Sequence, residues 1–361
     1  MILTKPYYPL LDALRFFAAF WVMNFHYLSV LGLSNSLHWY RYGNLGVQLF
    51  FIVSGFVIVE SLQSKTIREF AILRFIRLYP LFWILCTVTF IFPYFFPHAA
   101  TSSVSQYVVS MTMFGDILNE ILHTSGLVDP SYWTLTIELL FYIGIGTFVF
   151  LFSSTHIRYF LISWLCVSVI AFSLHIDQNF FIKLLLVRHV SYFVFGGALA
   201  LIASRLNSKS TIENDQNKKI LAPTSAKYVD YLLLVGSALY SILIVRKALP
   251  PYVTSNIHDA YIVTLIHIAF FISTSLLVYF SKYVTHSRVV RLLFIIGGMT
   301  YPLYLLHQKI GNTVLNYVTH AYNISWNLTV FMLEIVIICI SFVVYILDSD
   351  MRKWLRSILL K

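Results

Sequence analysis

Ten apolar runs, each close to the length of a bilayer crossing, follow one another along this chain with mostly short polar connectors: 10–31, 45–61, 70–96, 132–152, 157–176, 183–203, 229–245, 259–280, 292–310 and 326–347. A helix needs roughly 20 apolar residues to cross hydrocarbon. Backbone groups in lipid must satisfy one another, which favours helices over open strands. The pattern predicts an all-α polytopic membrane protein of about ten transmembrane helices. Composition removes the soluble alternative, since 59% of the 361 residues are hydrophobic and only 11% charged, against about 25% charged in ordinary soluble domains. The first run contains Asp12 and Arg15 and is not followed by a small-residue cleavage site, so it reads as a retained span and not a signal peptide.

The net charge of +10 would point to nucleic acid in a soluble protein. In a chain of spans it marks loops on the cytoplasmic side, because Lys and Arg placement sets orientation, and no nucleic-acid partner is expected. The stretch 104–122 holds Gln106, Asp116, Asn119 and Glu120 and reads as a re-entrant or amphipathic piece. If it does not cross, most lysines and arginines fall on one side, among them Lys5, Lys65, Arg68, Arg74, Arg77, Lys218, Lys219, Arg352 and Lys361. Both termini are then cytoplasmic. The polar stretch at about 204–228 becomes a cytoplasmic loop, and 1–361 reads as one membrane domain with no appended soluble domain. Cys86, Cys166 and Cys339 lie in apolar stretches without paired spacing, so neither a disulfide framework nor a metal site is implied. The sequons at Asn323 and Asn327 matter only in a eukaryotic secretory host.

Ionisable residues within a span are costly and are functional candidates. Arg15 and His26 are separated by about three helical turns plus roughly 20°, which places them on one face about 16 Å apart along the axis. Asp12, one turn from Arg15, can neutralise it. The same arrangement is also open to a purely packing role. Arg74 and Arg77, one turn apart in AILRFIRLYPLFW, can grip a phosphate with forked donors, or can be ordinary basic residues at a span end. Glu138, in SYWTLTIELLFYIG, is a candidate to orient the His26 imidazole. Trp133, Tyr301, Tyr304 and His307 fall at the same end of their spans, as pocket residues or as an interfacial belt. No phosphate-binding P-loop, no nucleophile-elbow motif and no zinc-protease motif is present.

Taken in order, LDALRFFAAFWVMNFH, GVQLFFIVSGFVI, LRFIRLYP, YWTLTIELLFY and TYPLYLLHQ resemble the acyltransferase-3 family of membrane acyltransferases, the bacterial O-antigen and exopolysaccharide O-acetylases and their relatives. The resemblance implies transfer of an acetyl or other acyl group from cytoplasmic acyl-coenzyme A to a glycan or lipid-linked glycan hydroxyl. Acetyl-CoA is then a co-substrate, and no bound cofactor or metal is expected. It implies that His26 is catalytic, that Arg15, Arg74 and Arg77 bind the donor, and that Glu138 belongs to the active site, in a bacterial inner membrane. Many members end the last span with Glu-x-Pro, whereas this chain has Asp348-Ser349-Asp350. It also lacks the additional span and extracytoplasmic hydrolase-like domain of longer members.

Mechanistically, the polyanionic end of coenzyme A would stay at the cytoplasmic basic rim while its long arm rises toward His26. The imidazole would act either as the base or as an acetyl carrier. The alternatives are a permease or flippase for a lipid-linked glycan, using the charged core as a path, and an acyltransferase with a non-glycan acceptor. For topology, reporters fused after Ser208 and at the C-terminus are expected to report cytoplasm, and one within 99–129 the outer side. A cytoplasmic signal from 99–129 would overturn this orientation.

Overall fold

The computed structural model describes residues 7–31, 40–124, 126–213, 224–247, 257–322 and 324–360. Lys5, Lys218, Lys219, Asn323 and Lys361 lie outside the described residues, as does the centre of the polar loop. The described chain folds into helices α1 (Pro9–Val30), α2 (Gly46–Leu62), α3 (Ile67–Ile91), α4 (Val104–Met111), α5 (Gly115–Leu122), α6 (Trp133–Phe152), α7 (Ile157–Ser173), α8 (Phe180–Lys183), α9 (Val190–Glu213), α10 (Thr224–Lys247), α11 (Ile257–Ser281), α12 (Ser287–His307), α13 (Lys309–Tyr322) and α14 (Trp326–Leu359). Among the described residues there is no strand. The protein is an all-helical, polytopic integral membrane protein.

Among the described residues nine helical stretches are long and apolar enough to cross a membrane, and they coincide with nine of the ten runs read from the sequence. The exception is α1, whose 22 residues suffice in length, since a helix rises about 1.5 Å per residue. Asp12, Arg15, Asn24 and His26 dilute its hydropathy. Those polar groups sit on a helix most of whose apolar residues are buried, including Trp21, Met23 and Tyr27, so its surroundings are protein more than lipid. The stretch 104–122 forms two eight-residue helices, α4 and α5, each too short to cross.

Two boundaries differ from the sequence reading. The run at 183–203 becomes helical only from Val190, because Leu186 takes a left-handed backbone (φ 57°) and Arg188 turns to pair with Asp177 at 2.7 Å. The run at 292–310 is broken after His307, where α13 begins. Part of the polar loop is also helical, since α9 continues to Glu213.

The helices gather into two units. The first comprises 1–11, 48–67 and 140–286. Within it, α2 and α9 approach at Gly55 and Gly196. A Cβ on Gly196 would collide with the Ile52 carbonyl and the Phe56 amide, and one on Gly55 with the Phe193 backbone. This contact brings the Phe193 ring within 4.9 Å of Phe51 and 4.2 Å of Phe141. Several buried polar side chains are paired internally, as suits a lipid setting. Asp230, fully buried, binds Arg158 and Arg205. His267 Nδ1 faces the Val263 carbonyl and so carries the proton, which makes its Nε2 the acceptor for the Tyr192 hydroxyl at 2.9 Å.

The second unit comprises 12–47, 68–139 and 287–361. In it α12 packs on α14 and α13. Hydroxyls of buried tyrosines tie helices to backbone carbonyls: Tyr301 to Leu78 at 2.9 Å and Tyr132 to Leu305 at 3.2 Å.

Backbone collision cannot be relieved by a rotamer change, so Gly196→Ala is expected to cost about 1–3 kcal/mol of stability. A Cβ at Gly236 meets open space, so Gly236→Ala should leave stability within about 0.5 kcal/mol. Thermal unfolding of the two purified variants checks the contrast.

Candidate active site

The functional candidates from the sequence lie in the second unit, at two stations along it. At the first, α1 supplies His26 and the last residue of α12 supplies His307, and their ring centroids are 5.3 Å apart. Arg15 is carried by the same unbroken helix as His26. His307 is buried, with 1% of its surface exposed. Its Nδ1 lies 2.7 Å from the Tyr304 carbonyl, which assigns the ring proton to Nδ1. Nε2 is left as a buried acceptor with no hydrogen-bond partner.

The break that ends α12 at His307 is built around Asp129. This carboxylate is fully buried. Its Oδ1 accepts from the Ser131 amide at 2.8 Å and the Ser131 hydroxyl at 2.7 Å. Its Oδ2 accepts from the Lys309 amide at 2.8 Å, the first residue of α13. A carboxylate at a helix start satisfies orphan N–H groups and complements the helix dipole. One side chain thus ties the turn before α6 to the joint between α12 and α13. Lys309 is half-buried there: burial lowers its ammonium pKa, and the Asp129 charge opposes that shift.

Tyr304 reinforces the same joint, donating to the Ser131 carbonyl with Thr134 Oγ1 beside its hydroxyl. Glu138, half-buried, lies one helical turn beyond Thr134 and within electrostatic range of Tyr304. The sequence reading placed Glu138 against His26. The ring neighbours of His26 among the described residues are Phe25 and His307. Trp133 is half-buried at the start of α6.

At the second station, Arg74 and Arg77 lie on α3. The Arg74 guanidinium stands 5.4 Å over the Phe70 ring. Arg77 is within electrostatic range of Asp348 and Arg352 on α14, where Asp348 is buried and ion-paired to Arg352 at 2.5 Å. The Asp348-Ser349-Asp350 segment therefore continues α14 as helix and contributes a carboxylate to this basic cluster. Asp12 packs against Gly297 of α12.

Two contributors, Asp129 and Glu334, were not singled out in the sequence, and a third, Asp348, stood out there only as a departure from Glu-x-Pro. Asp129 precedes a span, where hydropathy gives no signal. Glu334 is a lone carboxylate inside the last apolar run, with Asn24 of α1 beside it; the rule that flagged Asp12 and Arg15 applies to it equally. Asp348 is legible as a polar break, though its ion pair is not. Among the described residues no three His, Cys, Asp or Glu side chains gather as a metal site.

Fold and site together define a polytopic helical membrane protein with an imidazole pair at one station and a basic cluster at another. Residues 8–346 match the family described as the acyltransferase domain, and with nearly the whole length matched the chain belongs to that family. It is also similar to peptidoglycan O-acetyltransferase OatA of Listeria monocytogenes serovar 1/2a (strain ATCC BAA-679 / EGD-e), at 27% identity over 164 residues. That stretch is 41% of this chain and 25% of the relative, so the chain aligns with about a quarter of the relative's length. No solved structure matches the chain significantly.

Proposed function

We propose that the protein is a membrane O-acyltransferase that moves an acetyl or other acyl group from cytoplasmic acyl-coenzyme A to a hydroxyl of a surface glycan or glycolipid precursor. Its setting is a bacterial inner membrane, with both termini cytoplasmic. The observation that carries this reading is the His26–His307 pair, held on α1 and α12 within a chain that matches the acyltransferase family from 8 to 346. The likeness to a protein named as a peptidoglycan O-acetyltransferase supports a glycan acceptor.

In this reading the donor's phosphates lie at Arg74 and Arg77, with Arg15 further along the path toward His26. Forked guanidinium donors suit phosphate oxygens, and the anion need not enter hydrocarbon. The Asp348–Arg352 pair keeps part of the basic cluster ordered. The acceptor hydroxyl oxygen attacks the thioester carbonyl carbon, forming the new C–O bond and breaking the C–S bond. The hydroxyl proton passes to a His26 nitrogen and then to the departing thiolate. His307 Nε2, with its own proton on Nδ1, accepts a hydrogen bond from the other His26 nitrogen once substrate closes the pair, since such bonds tighten in the loaded site. That orientation leaves the reacting His26 nitrogen unprotonated. Glu138 acts through Tyr304 as a positioning residue.

His26→Ala is expected to lower acetyl transfer by a factor of about 10² or more, with the donor KM little changed. If the imidazoles act as a unit, His307→Ala lowers kcat, and the double variant is little worse than His26→Ala alone. Folded His26→Ala protein with near-normal turnover would overturn the assignment. Transfer of radiolabel from acetyl-coenzyme A into glycan by wild-type membranes separates the enzyme from a permease, which would leave the label on coenzyme A.

Arg74→Ala and Arg77→Ala should chiefly raise the KM for acyl-coenzyme A, because they remove binding remote from the reacting carbon. Lys at either position should rescue only in part, since a point charge lacks the forked geometry. An unchanged donor KM in the double alanine variant would return both residues to a topological role.

A further inference from the structure

A cleft of about 730 Å³ opens immediately beyond His307, between α13 and the segment around Phe96–Ala100, with Pro130 at its side. Its size falls within the roughly 300–1,000 Å³ of small-molecule sites. Gln308, at the turn into α13, and Asn312 and Asn316 on α13 are spaced four apart and put three amides on one side, and all three line the cleft. The Gln308 Oε1 and Asn312 Oδ1 atoms are buried and have no hydrogen-bond partner. They continue the unpartnered Nε2 of His307 along the chain, so consecutive turns carry acceptors without donors. Native structures leave few such groups unmatched, and because both amide side chains line the cleft, rotation of either amide about its last torsion presents its donor and acceptor to a ligand that carries hydroxyls. On the other wall the Tyr317 and Phe96 rings meet edge to face at 5.3 Å, and both line the cleft.

The lining chemistry discriminates among ligands. No carboxylate is present, so the cleft does not suit a cation. Lys309 is its one Lys or Arg, which does not suit the polyanionic end of a nucleotide donor. The amide ladder does not suit an acyl tail. Side-chain amides pair with vicinal hydroxyls as donor and acceptor together, and aromatic rings accept the C–H face of a pyranose. We propose that this cleft is the acceptor subsite and binds a neutral pyranose, a hexose or N-acetylhexosamine, with Gln308 and Asn312 accepting from its hydroxyls and Tyr317 under its ring. The proposal rests on the O-acyltransferase reading and assigns where that reaction's acceptor is held: in the cleft whose α13 lining begins at Gln308, the residue after His307, and to which neither Arg74 nor Arg77 contributes.

The test uses the full chain in lipid nanodiscs with two probes, chitotetraose and maltotetraose, at varied concentration with radiolabelled acetyl-coenzyme A. A diazirine-bearing version of each probe is mapped by peptide mass spectrometry. Asn312→Ala and Tyr317→Ala are expected to raise the acceptor KM about tenfold or more, the scale of one lost hydrogen bond or stacking contact, with the donor KM unmoved. Tyr317→Phe, which keeps the ring, should stay near wild type. Asn316→Ala, at an exposed position, should weaken the acceptor without a folding penalty. Crosslinks are expected in 96–100 and 308–321. Wild-type transfer to a probe together with unchanged acceptor KM in the alanine variants would overturn the subsite and leave the enzyme reading standing. Crosslinks in the cleft without any acetyl transfer would keep the sugar site and overturn the enzyme reading. Absence of both transfer and crosslinking with either probe would overturn the subsite.

Discussion

The second unit depends on the buried carboxylate of Asp129. A charge removed from water is costly unless it is hydrogen-bonded, and here the two oxygens take three donors: the Ser131 amide and hydroxyl and the Lys309 amide. Because the last of these is the first amide of α13, the cost of burying the charge is offset by the capping of a helix. The joint between α12 and α13 is thereby fixed to the turn that starts α6. His307, two residues before the capped amide, points its Nδ1 at the Tyr304 carbonyl and its Nε2 into the interior. Without the break, 292–310 would continue as one helix and Gln308 and Asn312 would not begin a new face.

The same unit separates two kinds of polar chemistry along its length, and the separation follows from membrane energetics. Arg77, Arg352 and Asp348 gather where α3 begins and α14 nears its end, a place where guanidinium groups can reach water. Near the joint, apart from the capped Asp129 carboxylate and the half-buried Lys309, the side chains are imidazoles, amides and hydroxyls, groups that are neutral or can be neutral and so cost less to bury. Tyr301, Tyr304 and Tyr132 use their hydroxyls to hold backbone carbonyls of other segments. Each ring contributes apolar packing while its polar tip supplies an interhelical bond, which suits a setting where helices gain little from hydrophobic burial.

Much of this was legible in the sequence because the bilayer imposes a length and a composition on each span. Nine runs coincide with candidate spans, and the polar stretch at 104–122 is too short-jointed to cross, as Gln106, Asp116, Asn119 and Glu120 indicated. What failed was decided by tertiary contacts. The onset at Val190 depends on the Arg188–Asp177 pair and the left-handed Leu186, neither visible in a hydropathy pattern. The pairing of His26 with His307 instead of Glu138 depends on which helix face α12 turns toward α1. Periodicity places Glu138 correctly on its own helix and says nothing about the neighbour. Asp129 escaped because its role is to cap α13, a helix whose start comes 180 residues later in the chain.

The pairing of two histidines carries a chemical advantage over a histidine and a carboxylate in this setting. A Glu beside His26 would favour the imidazolium, holding the proton on the group that accepts one in the proposed reaction. His307 already has its ring proton committed to the Tyr304 carbonyl and offers only a lone pair. It can orient His26 and fix its tautomer without adding a charge to the interior. The negative charge that does sit close by, on Asp129, is neutralised by three donors and by the start of α13. In the proposed reaction an imidazole pair so arranged would take up a hydroxyl proton as the C–O bond forms and return it to sulfur as the C–S bond breaks, and no net charge would be left behind in the low-dielectric core.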